Sequence, residues 1–141
     1  MSLKPKSWKR VHAVRDAQVK LAIGAAAIAM RNEATLVNNA ERLKKLRDNA
    51  FDAGHCQNGA SLHAQLELAQ RLIRADGEIS TALVRARQHL AQVERQRTAA
   101  YIDRETTSKL LDRAIAQAEE TAERKAARLP LRRKNTREAE E

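Results

Sequence analysis

The longest uninterrupted helical pattern in the chain runs from Leu62 to Arg128. These 67 residues contain no proline and a single glycine, Gly77, and helix-forming Ala, Leu, Arg, Glu and Gln make up most of them. When the segment is divided into heptads from Leu62, twelve of its seventeen inward positions are apolar. The seventeen positions are Leu62, Gln65, Ala69, Leu72, Asp76, Ile79, Leu83, Ala86, Leu90, Val93, Arg97, Ala100, Arg104, Thr107, Leu111, Ala114 and Ala118. Helices in globular cores average about 10–14 residues and carry wider apolar stripes, so this narrow seam predicts a long helix with a partner helix along its length.

Five of the seam positions are polar, namely Gln65, Asp76, Arg97, Arg104 and Thr107. Polar residues at inward positions reduce the apolar area that two helices can bury against each other. We therefore expect the pairing of the two helices to be loose, most of all between Arg97 and Thr107.

A second helical pattern precedes the first, from Trp8 to about Ala53, again without proline. Its apolar residues recur at steps of mostly three, four, seven or eight, as a helix requires. They are Val11, Val14, Leu21, Ala25, Ile28, Leu36, Ala40, Leu43, Leu46 and Ala50. This pattern slips by about one residue between Ile28 and Leu36, close to three asparagines, and so predicts weaker pairing there.

The segment between the two patterns, residues 52–61, carries the strongest turn signal in the chain. It contains two glycines and the dipeptide Asn58-Gly59. Gly54 is well placed to end the first helix, and Ser61 to cap the second. A short connection between two long helices makes them antiparallel neighbours. The sequence therefore predicts an all-α fold, an antiparallel two-helix coiled-coil hairpin over residues 7–128 with its turn at about 54–61.

The two predicted helices differ in length, with about 45 residues in the first and 67 in the second. Folding back from the turn places Ser7 beside roughly Thr107, so the second helix extends about 20 residues past its partner. Residues 1–6 are predicted to form a flexible N-terminus. Residues 129–141, polar and charged after Pro130, are predicted to form a disordered basic tail.

Composition limits the class of protein further. The 141 residues include one Trp, one Tyr and one Phe, so no aromatic core is available. The single cysteine, Cys56, excludes an internal disulfide and fits a reducing compartment. The longest apolar run, Leu21 to Met30, has ten residues, half of what a membrane-spanning helix needs. A secretory leader would place about 20 residues before that run, which is far longer than usual, so the protein is predicted to be cytoplasmic.

The charge of +9 is concentrated near the two ends of the chain. Residues 1–20 hold six Lys or Arg and one acid, whereas residues 21–123 hold fourteen of each sign. Residues 124–137 hold seven basic residues and no acid. In a hairpin both basic segments lie at the end opposite the turn. This end is either simply solvated or enters an acidic partner.

The usual functional signatures are missing from the sequence. His55, Cys56 and His63 cluster at the turn, but only Asp52 is near enough to add a ligand for a metal. No architecture shields a Cys–His nucleophile pair, and no phosphate-binding glycine loop is present. The chain has no zinc-finger spacing, stacking aromatics or compact helix-turn-helix, so specific nucleic-acid binding is not expected. Nonspecific, salt-dependent phosphate binding by the tail stays open, and no catalytic, cofactor or metal residue is predicted.

The start of the second helix carries more apolar residues than a two-helix seam needs. Leu62, Leu66, Leu68, Leu72, Ile73 and Ala75 cover more than one helix face. Leu68, Leu72 and Ala75 form a row of their own at i, i+4 and i+7. These side chains either pack beneath the loop onto Phe51 or form an exposed patch for a partner.

Several segments resemble FliJ-type proteins, small components of the bacterial flagellar type III export apparatus related to the YscO stalk proteins of virulence secretion. The segments are Lys6-Ser-Trp-Lys-Arg-Val-His-Ala-Val-Arg15 with the Ala-rich helix after it, Ala40-Glu-Arg-Leu-Lys-Lys-Leu-Arg47, Gly59-Ala-Ser-Leu-His-Ala-Gln-Leu-Glu-Leu-Ala-Gln-Arg-Leu72, and the Ala- and Arg-rich close from Ala122 to Lys134. The resemblance covers nearly the whole chain, and the last two segments are similar to the alphaproteobacterial branch.

This resemblance implies a non-enzymatic antiparallel coiled coil that acts as a central stalk. Its basic end would face a hexameric export ATPase, through Lys9, Arg10, Arg15, Arg124, Lys125 and Arg128. Leu68, Leu72 and Ala75 would contact the cytoplasmic domain of the export-gate membrane protein. Export chaperones would be further partners, and the protein would lie at the cytoplasmic face of the inner membrane through its partners only. The alternatives are an unrelated coiled-coil scaffold and a basic nucleic-acid-associated helical protein.

Overall fold

The computed structural model describes residues 4–52 and 58–128. Within these ranges the chain forms two helices, α1 from Pro5 to Asp52 with 48 residues and α2 from Gly59 to Arg128 with 70 residues. They include every described residue except Lys4 and Asn58, and they pack against each other, which confirms the predicted all-α fold. Residues 53–57, which include the first half of the turn predicted at about 54–61, and the predicted tail, residues 129–141, lie outside the described residues.

Helix α1 begins at Pro5, two residues before the predicted start at Ser7. The backbone N–H groups of Ser7 and Trp8 donate to the carbonyl oxygen of Lys4, at 2.9 and 3.3 Å. Proline suits the first helical position, because its fixed φ matches the helix and its missing N–H has no helical partner there. The Lys4–Pro5 step therefore sets the start of the helix.

Helix α2 begins at Gly59 and is capped by Asn58, whereas the sequence predicted Ser61 as the cap. The Oδ1 atom of Asn58 accepts a hydrogen bond from the backbone N–H of Ser61 at 2.8 Å. The N–H of Leu62 donates to the Asn58 carbonyl at 3.2 Å. Ser61 is thus the third helical residue, which donates to the cap.

Replacing the cap should lower stability by a measurable amount. Asn58→Ala removes the acceptor for the Ser61 N–H, and we expect the free energy of unfolding to fall by about 1 kcal/mol. Urea-induced unfolding followed by circular dichroism measures this change. Asn58→Asp retains an acceptor oxygen and should unfold at nearly the wild-type urea concentration; equal destabilisation by both variants would contradict the capping role.

Contacts between the helices divide the chain into two compact units. The terminal unit contains the described residues 4–16 of α1 and 103–128 of α2. The central unit contains residues 17–52 of α1, Asn58, and residues 59–102 of α2. Each unit has its own buried residues and its own ion pairs between the two helices, and each is described separately below.

In the central unit, α1 contacts α2 through a row of residues spaced alternately by three and four. The row comprises Val19, Ala22, Ala26, Ala29, Glu33, Leu36, Ala40, Leu43, Arg47 and Ala50. The buried residues of α1 in this unit are Val19, Ala26 and Ala29, and Val93 of α2 is also buried. Two ion pairs join the helices, Glu33 to Arg87 at 3.2 Å and Arg47 to Asp76 at 3.8 Å. This row is the interface face of α1.

The predicted seam of α2 agrees with the observed burial. Fifteen of its seventeen positions are buried or partly covered, and only the first and last, Leu62 and Ala118, are exposed. The heptad spacing of the sequence was therefore sufficient to identify the face of α2 that packs on α1.

The predicted apolar face of α1 is wrong in its first half. Val11, Val14, Leu21, Ala25 and Ile28 are all exposed, and the buried row lies one residue later along the helix. The interface row also continues from Ala29 to Leu36 without the predicted slip. Small side chains explain the difference, because alanine lets the two helices approach closely while larger apolar residues stand on the neighbouring face. The sequence thus carries two apolar rows, and the apparent slip is the step from one row to the other.

Polar residues of the α2 seam form ion pairs or hydrogen bonds, which reduces the free-energy cost of removing them from water. Asp76 pairs with Arg47 and Arg104 pairs with Asp16, both between helices. Arg97 pairs with Glu94 within α2 at 2.9 Å. In the terminal unit the buried Thr107 donates from Oγ1 to the Asp103 carbonyl at 2.7 Å, so its hydroxyl is satisfied.

The part of α2 without cover from α1 is shorter than predicted. Ala114 is buried and Ile115 is partly covered, whereas every residue from 116 to 128 is exposed. The sequence placed the end of pairing near Thr107. Ion pairs of Arg15 with Asp103 and of Asp16 with Arg104, both at 3.2 Å, show that the α1 residues lie opposite α2 residues farther from the turn than expected. The early start of α1 at Pro5 lengthens the covered segment further.

Candidate functional site

The six residues predicted to face an acidic partner all lie in the terminal unit. Lys9 and Arg10 are exposed near the start of α1, and Arg15 is partly covered one to two turns later. Arg124, Lys125 and Arg128 are exposed in the last turns of α2. Segments more than 100 residues apart in the sequence are thus members of one structural unit.

The six basic side chains are not equivalent. The Nη1 atom of Arg15 lies 3.2 Å from Asp103 Oδ2, so this guanidinium joins α1 to α2. Arg124 pairs with Glu120 one turn earlier on the same helix face. Exposed pairs of this kind contribute roughly 0–1 kcal/mol, and salt weakens them. Arg15 therefore has a structural contact, whereas Lys9, Arg10, Lys125 and Arg128 offer the more accessible charges.

Acidic residues border the basic end of α2 closely. Residues 119–123 contain three glutamates, and residues 124–128 contain three basic residues and no acid. A short acidic turn thus precedes a short basic turn at the end of α2. The carbonyl end of a helix favours positive charge, and Lys125 and Arg128 occupy that last turn.

An open groove lies where α1 begins beside α2. Its lining residues are Lys4, Pro5, Ala114, Gln117, Ala118, Glu120, Thr121, Ala122 and Lys125. Three of the lining residues are alanines of α2, and a lysine comes from each of the two segments that line the groove. The sequence did not predict that Lys4 and Pro5 line this groove, because both were assigned to a flexible N-terminus. Proline is favoured at the first position of a helix, and this preference could have identified them.

One carboxyl group in the terminal unit has a shifted titration. A hydrogen bond from Lys109, at 2.9 Å, and the charge of the same ammonium group lower the pKa of Glu105 below its ordinary value. Both groups are one turn apart on the exposed face of α2. Glu105 therefore stays ionised at neutral pH, and its charge is offset by its neighbour.

The residues predicted to contact an export gate do not form one exposed patch. Leu68 is 47% exposed, but Leu72 and Ala75 are partly covered, because Leu72 belongs to the seam that packs on α1. Leu66 and Ile73 on the same stretch of α2 are more exposed than Leu68. The most accessible apolar side chains of this stretch are Leu62, Leu66 and Ile73, which share one helix face at i, i+4 and i+11.

The turn cluster of His55 and Cys56 lies outside the described residues. Within residues 4–52 and 58–128, no three His, Cys, Asp or Glu side chains are grouped so that they could hold a metal ion. Neither described helix has a stretch apolar and long enough to cross a membrane. No protein-family model, curated protein or solved structure matches the chain. The likeness to FliJ-type proteins rests on the sequence segments alone.

Proposed function

We propose that this protein is a non-catalytic stalk of the bacterial flagellar type III export apparatus. In this role an antiparallel coiled-coil hairpin inserts its basic end into the ring of a hexameric export ATPase. The observation that carries the proposal is the membership of both basic helix ends in one terminal unit. Positive charge from two distant segments in one unit suits an acidic protein surface, because complementary charge speeds encounter and fixes orientation.

The antiparallel arrangement is supported by the residue numbers of the ion pairs. In the central unit, the α2 partner falls from Arg87 to Asp76 as the α1 residue rises from Glu33 to Arg47. Alternating steps of three and four on both helices favour coiled-coil packing. A paired helical segment of this kind suits a stalk, since a stalk has to connect one partner to another.

The coupling function requires a second contact, with the cytoplasmic domain of the export-gate membrane protein. We assign this contact to the apolar stretch around Leu68, Leu72 and Ala75. Leu68 is the accessible member of the three, while Leu72 and Ala75 support the helix pair beneath it. Export chaperones are proposed as further partners, with the protein in the cytoplasm at the inner membrane.

The test is reconstitution with a hexameric flagellar export ATPase. The purified chain should co-elute with the ATPase at low salt and raise its rate of ATP hydrolysis, with both effects declining as salt screens the charges. Binding to random double-stranded DNA is measured in parallel. Salt-sensitive DNA binding without any effect on the ATPase would replace the proposal with a nucleic-acid-associated role.

A further inference from the structure

A charge-free segment of α1 in the central unit exposes most of its apolar surface. The ten residues from Leu21 to Met30 contain no polar side chain, yet only Ala22, Ala26 and Ala29 face α2. Leu21 is 74% exposed and Ile28 is 60% exposed. A helix segment that is apolar on all sides is normally covered on more than one side.

Within this segment, Leu21, Gly24, Ala25 and Ile28 form what we call the outer row. Gly24 and Ala25 are three and four residues after Leu21, and Ile28 is four residues after Gly24 and three after Ala25, so all four share one face. Large side chains at the ends and small ones in the centre form a shallow notch. This is the spacing of a second coiled-coil seam, on a face adjacent to the one that α2 occupies.

Gly24 has no role within the chain that the structure shows. A Cβ atom added there would meet nothing within 4 Å, and glycine inside a helix is less favourable than alanine. Small residues at a helix surface let another helix approach closely. The open space at Gly24 is therefore suited to a neighbouring backbone.

The charges at the two ends of the outer row indicate what kind of helix could bind there. The exposed charged residues before and after it are Lys20 and Arg31, both basic. The nearest carboxylate after the row, Glu33, pairs with Arg87 of α2. An occupant that crosses the row thus meets positive charge at each end.

A second copy of this chain fits the outer row poorly. With the copies antiparallel and Leu21 opposite Ile28, Lys20 lies within two residues of the position opposite Arg31 of the second copy. With the copies parallel, Lys20 faces Lys20. Like charges at neighbouring positions oppose either pairing, and the net charge of +9 adds long-range repulsion.

We propose that the outer row of α1 is a docking surface for an amphipathic helix of another protein, one whose apolar seam is flanked by acidic residues. The apolar seam of that helix covers Leu21 and Ile28 and crosses closest at Gly24 and Ala25. Its acidic residues pair with Lys20 and Arg31. This surface is independent of the proposed ATPase contact, because it belongs to the central unit and uses none of the basic residues assigned to that contact.

Two synthetic helical peptides test the proposal, with identical Leu/Ala heptad seams and either Glu or Lys at the flanking positions. Fluorescence anisotropy with the full chain should show binding of the Glu peptide and at least tenfold weaker binding of the Lys peptide. The double variant Leu21→Gln/Ile28→Gln should weaken binding of the Glu peptide about tenfold or more, because two apolar contacts are lost. Equal affinity of both peptides, or no loss in the double variant, would overturn the proposal.

A matched control and a second variant keep the result interpretable. Leu46→Gln removes a side chain of α1 that is 59% exposed and lies outside the row, so it should leave peptide binding unchanged. Gly24→Phe should retain wild-type helix content, since the space around Gly24 is open, and should block the peptide. Sedimentation equilibrium tests whether a second copy of the chain binds the outer row instead. If the wild-type chain dimerises, the double variant does not, and the peptide does not bind, the row is a dimer interface and the proposal is refuted.

Discussion

Ala26→Glu is expected to abolish the packing of α1 on α2 in the central unit, whereas Ala25→Glu should leave the protein folded. Ala26 is 1% exposed and is central to the interface row, but its neighbour Ala25 faces away from α2. A buried carboxylate without a partner costs on the order of 3 kcal/mol or more, a large share of the stability of a small helical domain. The same side chain one residue earlier remains in water.

Circular dichroism and thermal unfolding of the two variants measure the difference. Both substitutions replace alanine by glutamate in the same helix, so helix propensity and net charge change equally. A loss of the cooperative transition in Ala26→Glu alone would support the observed register. If Ala25→Glu were the more damaging of the two, the face of α1 inferred from sequence would be the correct one.

The same two variants concern the feature that the sequence predicted wrongly, namely which face of α1 packs on α2. On α2 one apolar row continues along the helix, and its heptads identified the covered face from Gln65 to Ala114. On α1 the row that contains Leu21 and Ile28 has the larger side chains, and hydrophobic periodicity alone selects it. The structure covers the neighbouring row of alanines instead, because close approach of two backbones requires small residues. Periodicity reports that a face is apolar but does not report which of two apolar faces the partner covers.

The helix ends were also predicted only in part. Local sequence signals indicated roughly where each helix begins but did not identify its first residue. The sequence placed a turn signal at Asn58-Gly59, and α2 begins at Gly59, but both Asn58 and Ser61 carry a side-chain oxygen that can cap a helix. The structure selects Asn58, whose Oδ1 reaches the third N–H of the helix. Likewise, α1 begins at Pro5 and not at the predicted Ser7, because proline suits the first helical position.

The candidate site could be predicted only in part. The basic charge of both helix ends was visible in the sequence, and the predicted hairpin implied that they belong to one unit. The pairing of Arg15 with Asp103 was not visible, because it depends on which residues the two helices bring opposite each other. Because of that ion pair, Arg15 has a structural role. Fewer of the six predicted basic residues are therefore available to a partner protein.

Reversing the charge of Arg124, Lys125 and Arg128 to glutamate together should strongly reduce stimulation of the export ATPase. These three residues are exposed and lie beyond the buried part of the terminal unit, so they support little of its packing. Each exposed charge contributes only about 0.2–1 kcal/mol, which is why a single reversal would change little. Acting together, they should lower mainly the association rate at low salt, and added salt should shrink the difference from wild type.

Two further variants separate a local effect from a general one. Reversing Arg42, Lys44 and Lys45, three exposed bases in the central unit, lowers the net charge equally, from +9 to +3 at two units for each residue, and should leave stimulation nearly intact. Acidic residues in the last turn of α2 also oppose the helix dipole, so a triple glutamine variant at 124, 125 and 128 provides the neutral case. It should show an intermediate loss of stimulation with wild-type helix content. Unchanged stimulation in both terminal variants at low salt would remove the basic end from the mechanism and leave it as a solvated helix terminus.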